Sequence, residues 1–271
     1  MLKFFKIIGK SFAVAFSVYS RIPMPKFVWE SDDMKYHLCF FPWIGAVIGA
    51  LEAEWFLLGC RLGFGTLLYV TVAMAIPLLL TGGFHLDGYM DTCDALHSYQ
   101  DREKKLEIMK DPHIGAFSVI SLSTYLLLAL AAGTLIYEGF GALDQPQRLR
   151  TIGSVCMVFF LSRVLSGISV IIMKGAKKDG MLQTFSSTAE KNTVLVILLL
   201  QLVVCAVLTL WLNPYPGAAE LEGAAITYLY YIRMSRKQFG GITGDLAGYF
   251  VCLTELVMLF AAGVSGWLLM R

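Results

Sequence analysis

Residues 66–97 read TLLYVTVAMAIPLLLTGGFHLDGYMDTCDALH. The first half is an apolar run that, with the residues just before it, is long enough to cross a hydrocarbon core of ~30 Å. The second half changes character at Gly82-Gly83 and places three aspartates and two histidines within sixteen residues. An apolar run ending abruptly in a carboxylate cluster predicts a membrane helix that delivers a polar site to the membrane surface. The rest of the chain supports the membrane half of that reading.

Of 271 residues, 57% are hydrophobic and 15% charged, against about 25% charged in ordinary soluble domains. Apolar runs recur at about 38–58, 62–81, 113–137, 151–173, 193–212, 218–232 and 246–270, the sixth being short. Polar stretches separate them at 82–112, 138–150, 174–192 and 233–245. The N-terminus places Lys3, Lys6 and Lys10 on one helical face and Phe5, Ile8, Phe12, Phe16 and Tyr19 on the other. That pattern suits a helix lying in the membrane interface better than a cleaved signal, and Pro23 and Pro25 follow where the helix must stop. The expected fold is all-α: a polytopic integral membrane helical bundle of about seven membrane-embedded helices plus an N-terminal interfacial amphipathic helix. It forms one catalytic domain over 1–271, with the interfacial helix and its proline turn at 1–26. The six cysteines are scattered without C-x-x-C spacing and read as small apolar residues.

If all seven runs cross, the N-terminal region and the loops after runs two, four and six share one side. That side carries seventeen Lys and Arg against four on the other, and Arg163 lies inside a run. The positive-inside tendency makes the seventeen-residue side cytoplasmic. The polar stretches that share it therefore face the cytosol together.

Within the acidic stretch, Asp87, Asp91 and Asp94 are spaced i, i+4 and i+7, which puts three carboxylates on one helix face. They repel one another unless a cation or protons intervene, and hard oxygen ligands favour magnesium, manganese or calcium over zinc. Magnesium with polyphosphate points to transfer at a phosphate ester or anhydride. Spacing alone fits a solvated polar helix face equally well. His85 reads as a proton acceptor, a phosphate contact or a structural residue. Arg102, Lys104, Lys105 and Lys110 form a basic half of the same loop, suited to an anionic substrate or to solvent. Asp111 and Pro112 fit an N-cap and a first-turn proline for the next helix.

Two further loops belong to that side. FGGITGDLAGY, residues 239–249, combines four glycines with Thr243 and Asp245 ahead of the last run. Glycines let backbone amides approach a phosphate and a helix start favours an anion; Asp245 alternatively caps the helix. Residues 173–187, MKGAKKDGMLQTFSS, bring Lys174, Lys177 and Lys178. An intramembrane arginine is expensive and faces a cavity or a partner, so Arg163 predicts a partner among Glu52, Glu54 and Glu255.

These residues together are recognisable. GGFHLDGYMDTCDAL resembles the signature of the adenosylcobinamide-GDP ribazoletransferases, or cobalamin synthases, with their GG-x-HLDG-x-x-D-x-x-D pattern. The resemblance extends along nearly the whole chain, through SRIPMP, FPWIGAVIGA, DREKKLEIMKDPHIGAF, the LSR around Arg163, AKKDGMLQTF and GGITGDLAG. It implies a magnesium-dependent membrane enzyme of the phosphotransferase class. Such an enzyme joins adenosylcobinamide-GDP to α-ribazole or its 5′-phosphate, giving adenosylcobalamin or its 5′-phosphate and GMP. The implied setting is the cytoplasmic (inner) membrane of a prokaryote, with small-molecule substrates, lipid around the chain, no nucleic acid, and self-association into a homo-oligomer allowed. On this reading Asp87, Asp91, Asp94 and Asp245 hold Mg2+, and one of them or His85 accepts the hydroxyl proton. Gly82, Gly83, Arg21, Arg102, Lys110, Arg163, Lys177, Gly241, Thr243 and Gly244 then contact substrate.

Departures from the family pattern bear on substrate contacts more than on the reaction. Pro112-His113 stands where serine and arginine are common, Lys177 replaces a frequent arginine, and Tyr89-Met90 fills a usually smaller aliphatic pair. Two other readings compete. A CDP-alcohol-type lipid phosphotransferase also uses surface aspartates and magnesium, but its AR element is missing from this cluster. A cation or proton transporter would place its key acids inside spans.

Overall fold

Uniformly apolar stretches have no polar face to turn to water, and in lipid every backbone amide must be satisfied within its own segment. The computed structural model, which describes residues 2–176 and 181–269, is accordingly built from helices. They run α1 Leu2–Tyr19, α2 His37–Leu62, α3 Thr66–Thr81, α4 Phe84–His97, α5 Arg102–Ile108 and α6 Ala116–Gly141. After these come α7 Gln145–Ile172, α8 Met181–Thr188, α9 Lys191–Leu212, α10 Pro214–Met234 and α11 Gly244–Leu269. A 3-10 turn at Ser31–Met34 precedes α2 and a π turn at Ser235–Phe239 follows α10. Lys177 and Lys178 lie outside the described residues, as do the side chains of Lys3 and Phe5.

The chain is a polytopic helical membrane protein, and each expected apolar run coincides with a helix. Helices α2, α6, α7, α9 and α11 are each long and apolar enough to cross a membrane. Helix α3 meets that test only jointly with α4, from which it is bent by 96°; α4 turns away and is not counted as a crossing. Helix α10 has the length of a span, but Glu220, Glu222 and Arg233 lower its apolarity.

Helix α7 is the axis, buried along most of its length, whereas α6 and α9 show little burial. Their outward faces carry Ile120 and Leu127 on α6 and Leu200, Val203 and Val207 on α9, as lipid contact requires. Against α7 lies α2, and Gly45-x-x-x-Gly49 makes that approach possible. A Cβ on Gly49 would sit 2.6 Å from the Cys156 carbonyl oxygen, and one on Gly45 would overlap the Phe159 carbonyl. Small residues one turn apart let two backbones meet in this way.

The connections sort to two ends. At one end, the Tyr137 hydroxyl donates to the Phe64 carbonyl, and the Asn213 side chain donates to Thr151 Oγ1. At the other, Arg21 N–H donates to the Leu80 carbonyl, Glu190 N–H to the Lys35 carbonyl, and Gly175 pairs with Ile242 as an isolated bridge. The polar segments expected to share one side therefore touch one another.

Two local expectations change. Helix α1 ends at Tyr19, before the prolines, but Val14, Ala15 and Phe16 are buried against the bundle, and Lys10 Nζ reaches Asp33 Oδ2 at 2.9 Å. Asp111 and Pro112 do not open α6, which starts at Ala116 with Gly115 as N-cap. Asp111 Oδ1 instead accepts from the backbone and ring of His113 in an exposed turn.

Candidate active site

The site begins at the break after Thr81. Gly82 and Gly83 adopt φ of +76° and +81°, a left-handed pair closed to side chains of ordinary residues. The Arg21 side chain lies across Gly82, where a Cβ would come within 2.5 Å of Nε.

Helix α4 leaves the break with two unlike faces. His85, Gly88, Tyr89, Thr92 and Cys93 are buried, while Asp87 is exposed and Asp91 and Asp94 are partly exposed. At about 3.6 residues per turn, His85 falls on the face opposite the three aspartates. Its ring centroid sits 5.8 Å from that of Phe41, and it lines a mostly apolar pocket with Arg163. The expectation that His85 accepts a proton beside the aspartates is therefore corrected.

Helix α11 brings the fourth carboxylate. Two glycines make the approach: a Cβ on Gly88 would lie 2.8 Å from Asp245 Cα, and one on Gly248 would lie 3.1 Å from His85 Cα. Thr243 rather than Asp245 caps α11, its Oγ1 accepting from Leu246 N–H at 3.2 Å and donating to Asp245 Oδ2 at 3.4 Å. Asp245 is thereby directed by the cap. Crowding shows in Asp91, whose carboxyl is pushed up to about 6 by burial and by the charges of Asp87, Asp245 and Asp94.

Asp94 faces α6. Its Oδ2 accepts from Gly115 N–H at 2.8 Å and its Oδ1 from Ser118 N–H at 2.9 Å, while the Ser118 hydroxyl also donates to Oδ2. An anionic acceptor at a helix N-terminus satisfies amides that have no partner within the helix. The missing cap of α6 thus comes from α4, and neither Gly115 nor Ser118 was singled out by sequence, because they lie over twenty residues from Asp94.

The basic and glycine-rich segments adjoin this surface. Arg102 Nε donates to the Lys237 carbonyl at 3.1 Å and the buried Lys105 donates to Gln238 Oε1 at 2.6 Å, so α5 is docked on the π turn. Lys110 is exposed. Gly241 packs so tightly on Lys174–Ala176 that any Cβ would strike the Lys174 carbonyl, and Ile242 N–H donates to that same carbonyl at 3.0 Å. Gly244 has open space around it, and Lys177 falls outside the described residues.

Arg163 is separate from the acidic face. It is 1% exposed, and its Nη1 bonds Glu255 Oε1 at 2.5 Å and the Phe159 carbonyl at 2.8 Å. Of the three expected partners, Glu255 is the one used; Glu54 is exposed and Glu52 is buried elsewhere on the pocket wall. Direct phosphate contact at the aspartates is thus not its place.

Among the described residues, no three Asp, Glu, His or Cys side chains converge as a closed metal cage would require. Magnesium does not need one: it keeps several waters and binds through one or two carboxylates plus substrate phosphates. Crowded carboxylate oxygens on an open polar surface, with Asp91 held reluctantly ionised, fit that mode.

Residues 11–263 match the model of the family described as cobalamin-5-phosphate synthase. The chain belongs to that family. It is 38% identical over 252 residues to an adenosylcobinamide-GDP ribazoletransferase of Lachnoclostridium phytofermentans, covering 93% of this chain and 92% of the relative. A protein of the same name from Clostridium perfringens is 30% identical over 259 residues, 96% of this chain and 99% of its own. One from Desulfitobacterium hafniense is 34% identical over 251 residues, 92% and 94%. No solved structure gives a significant match.

Proposed function

We propose that this protein joins adenosylcobinamide-GDP to α-ribazole or α-ribazole 5′-phosphate, with Mg2+, at the acidic end of the bundle. The observation that carries the reading is the juxtaposition of Asp87 and Asp91 with Asp245 through the Gly88 and Gly248 contacts, in a chain of this family.

A ribose hydroxyl that the 5′-phosphate leaves free attacks the phosphorus linked to cobinamide as its proton passes to a carboxylate of this face. The bond from that phosphorus to the bridging oxygen breaks, and GMP departs with the electron pair. Asp87, Asp91 and Asp245 would hold the metal, which supplies charge neutralisation to the diphosphate. Asp94, already occupied at α6, positions α4. Arg21 at the glycine break and Arg102 beside Gly240 offer bidentate guanidinium groups to phosphate, and Lys110 adds charge at the rim. The seventeen Lys and Arg on this side support a cytoplasmic membrane setting with the site facing the cytoplasm.

Purified protein incubated with adenosylcobinamide-GDP, α-ribazole and Mg2+ should release GMP. Asp91→Asn should abolish release while leaving the detergent-extracted protein monodisperse, and near-normal turnover in that variant would remove Asp91 from the metal role. Release of CMP from a CDP-alcohol, with none of GMP, would favour the lipid phosphotransferase reading.

A further inference from the structure

Helix α10 ends in a basic patch that the proposed reaction leaves unused. Leu229, Ile232, Arg233, Arg236 and Lys237 line an open groove of about 570 Å3 at the end of the bundle that carries the acidic face. Their i, i+3, i+4, i+7 and i+8 spacing keeps them on one side of the helix and of the π turn that continues it. The opposite side packs on α11, where Tyr231 stacks on Phe250 with ring centroids 4.7 Å apart. The groove therefore looks away from the bundle and from Asp245. Ile226 and Leu229, 66% and 68% exposed, lead up to it as a lipid-facing surface does. Other cations at this end are engaged, Lys10 by Asp33, Lys35 by Asp32, Lys104 by Glu107 and Lys105 by Gln238. Among the described residues, the side chains of Arg233, Arg236 and Lys237 have no ion pair. Unpaired charge on a lipid-facing helix side is costly, and a basic cluster where a membrane helix ends attracts anionic headgroups.

We propose that this groove binds an anionic phospholipid of the adjoining leaflet. Arg233, Arg236 and Lys237 hold its phosphate, and an acyl chain lies along Leu229 and Ile226. The groove has the order of a lipid, with charge at the membrane boundary and hydrocarbon beyond it. A soluble phosphate would use the charges but leave the apolar shelf uncovered. Guanidinium forks match phosphate oxygens in pairs. The turn that presents Arg236 and Lys237 also supports the acidic site. Its Lys237 carbonyl accepts from Arg102 Nε, its Gln238 side chain accepts from Lys105, and its Ser235 carbonyl accepts from the amides of Gly240 and Gly241. Two residues beyond Gly241 stands Thr243, the cap that directs Asp245. A lipid on the outer side of the turn thus braces the segment that leads to Asp245, and π turns recur at such functional positions.

The test is native mass spectrometry of the detergent-purified full chain titrated with dioleoyl phosphatidylglycerol or dioleoyl phosphatidylcholine. Phosphatidylglycerol should bind at least tenfold tighter, and R233Q/R236Q/K237Q should hold the two lipids alike. Removing the same charge from exposed lysines elsewhere at this end, in K6Q/K26Q/K191Q, should leave the preference within twofold. Leu229→Glu, at an exposed position, sets a carboxylate on the apolar shelf and should also abolish the preference, which keeps the proposal falsifiable if the triple arginine–lysine variant folds poorly. Hydrogen exchange over residues 235–242 should slow when phosphatidylglycerol is added to the wild type and not when it is added to the groove variants. A preference untouched in the groove variants, or lost equally in K6Q/K26Q/K191Q, overturns the proposal. So does displacement of phosphatidylglycerol by inorganic phosphate at comparable concentration, which would make the groove a site for a soluble anion. Bound lipid with unchanged exchange overturns the bracing of the turn. Every readout is made without turnover, so failure here is distinct from failure of the proposed reaction.

Discussion

Ser118 holds both oxygens of Asp94: its amide donates to Oδ1 at 2.9 Å and its hydroxyl to Oδ2. An aspartate of the signature is thus also the cap of another helix. Ser118→Ala removes one donor and should cost about 0.5–1.5 kcal/mol. GMP release should slow several-fold while the Mg2+ concentration for half-maximal rate stays within twofold. A tenfold rise in that concentration would show that Asp94 binds the metal directly.

Asp91 predicts a trade of stability for function. Its carboxyl is raised from 3.8 to about 6, so the folded chain retains a proton that the unfolded chain releases between those values. Stability is lost as pH rises through that window, and the loss is complete above it. Asp91→Asn should therefore raise the midpoint of thermal unfolding above pH 7, the gain fading as pH falls toward 4. Mg2+ should stabilise the wild type more than the variant. Equal midpoints at all pH values would show that the charge crowding is relieved without a metal.

The Arg163–Glu255 pair is buried at 2.5 Å. Breaking it from one side leaves an uncompensated charge and costs about 3–5 kcal/mol, while replacing both partners with apolar residues is often neutral. Arg163→Met and Glu255→Leu should each reduce the yield of folded protein sharply, and the double variant should recover it. A double variant as unstable as the sum of the singles would place the arginine's main partner elsewhere.

Thr243→Ala should cost about 1 kcal/mol through the lost cap and should also lower turnover, because Asp245 loses the hydroxyl that faces it. Thr243→Ser should restore both. Stability falling without turnover would separate the cap from the site.

Tyr99, 91% exposed in the turn after α4, tests sidedness. An impermeant thiol reagent should label Tyr99→Cys in inverted vesicles and not in intact cells. Labelling from outside would invert the orientation proposed from the charges.

The sequence by itself determined the helical membrane class, the seven apolar helices to within six residues at each end, and the grouping of polar segments at one end. These are local properties: apolarity, length and charge act wherever a segment sits in the chain. The i, i+4, i+7 spacing of Asp87, Asp91 and Asp94 likewise needed only the pitch of a helix. Tertiary structure decided what each polar group faces. It turned His85 to the opposite side of α4, gave Asp94 to the α6 amino end, and chose Glu255 over Glu52 for Arg163. It also made Thr243 the cap and left Glu52 facing a pocket. Apart from the Thr243 cap, whose partners are Leu246 and Asp245, these outcomes depend on partners more than twenty residues away or on which helix face meets a neighbour. They are set by packing such as the Gly88–Asp245 and Gly45–Phe159 approaches, which no single segment specifies.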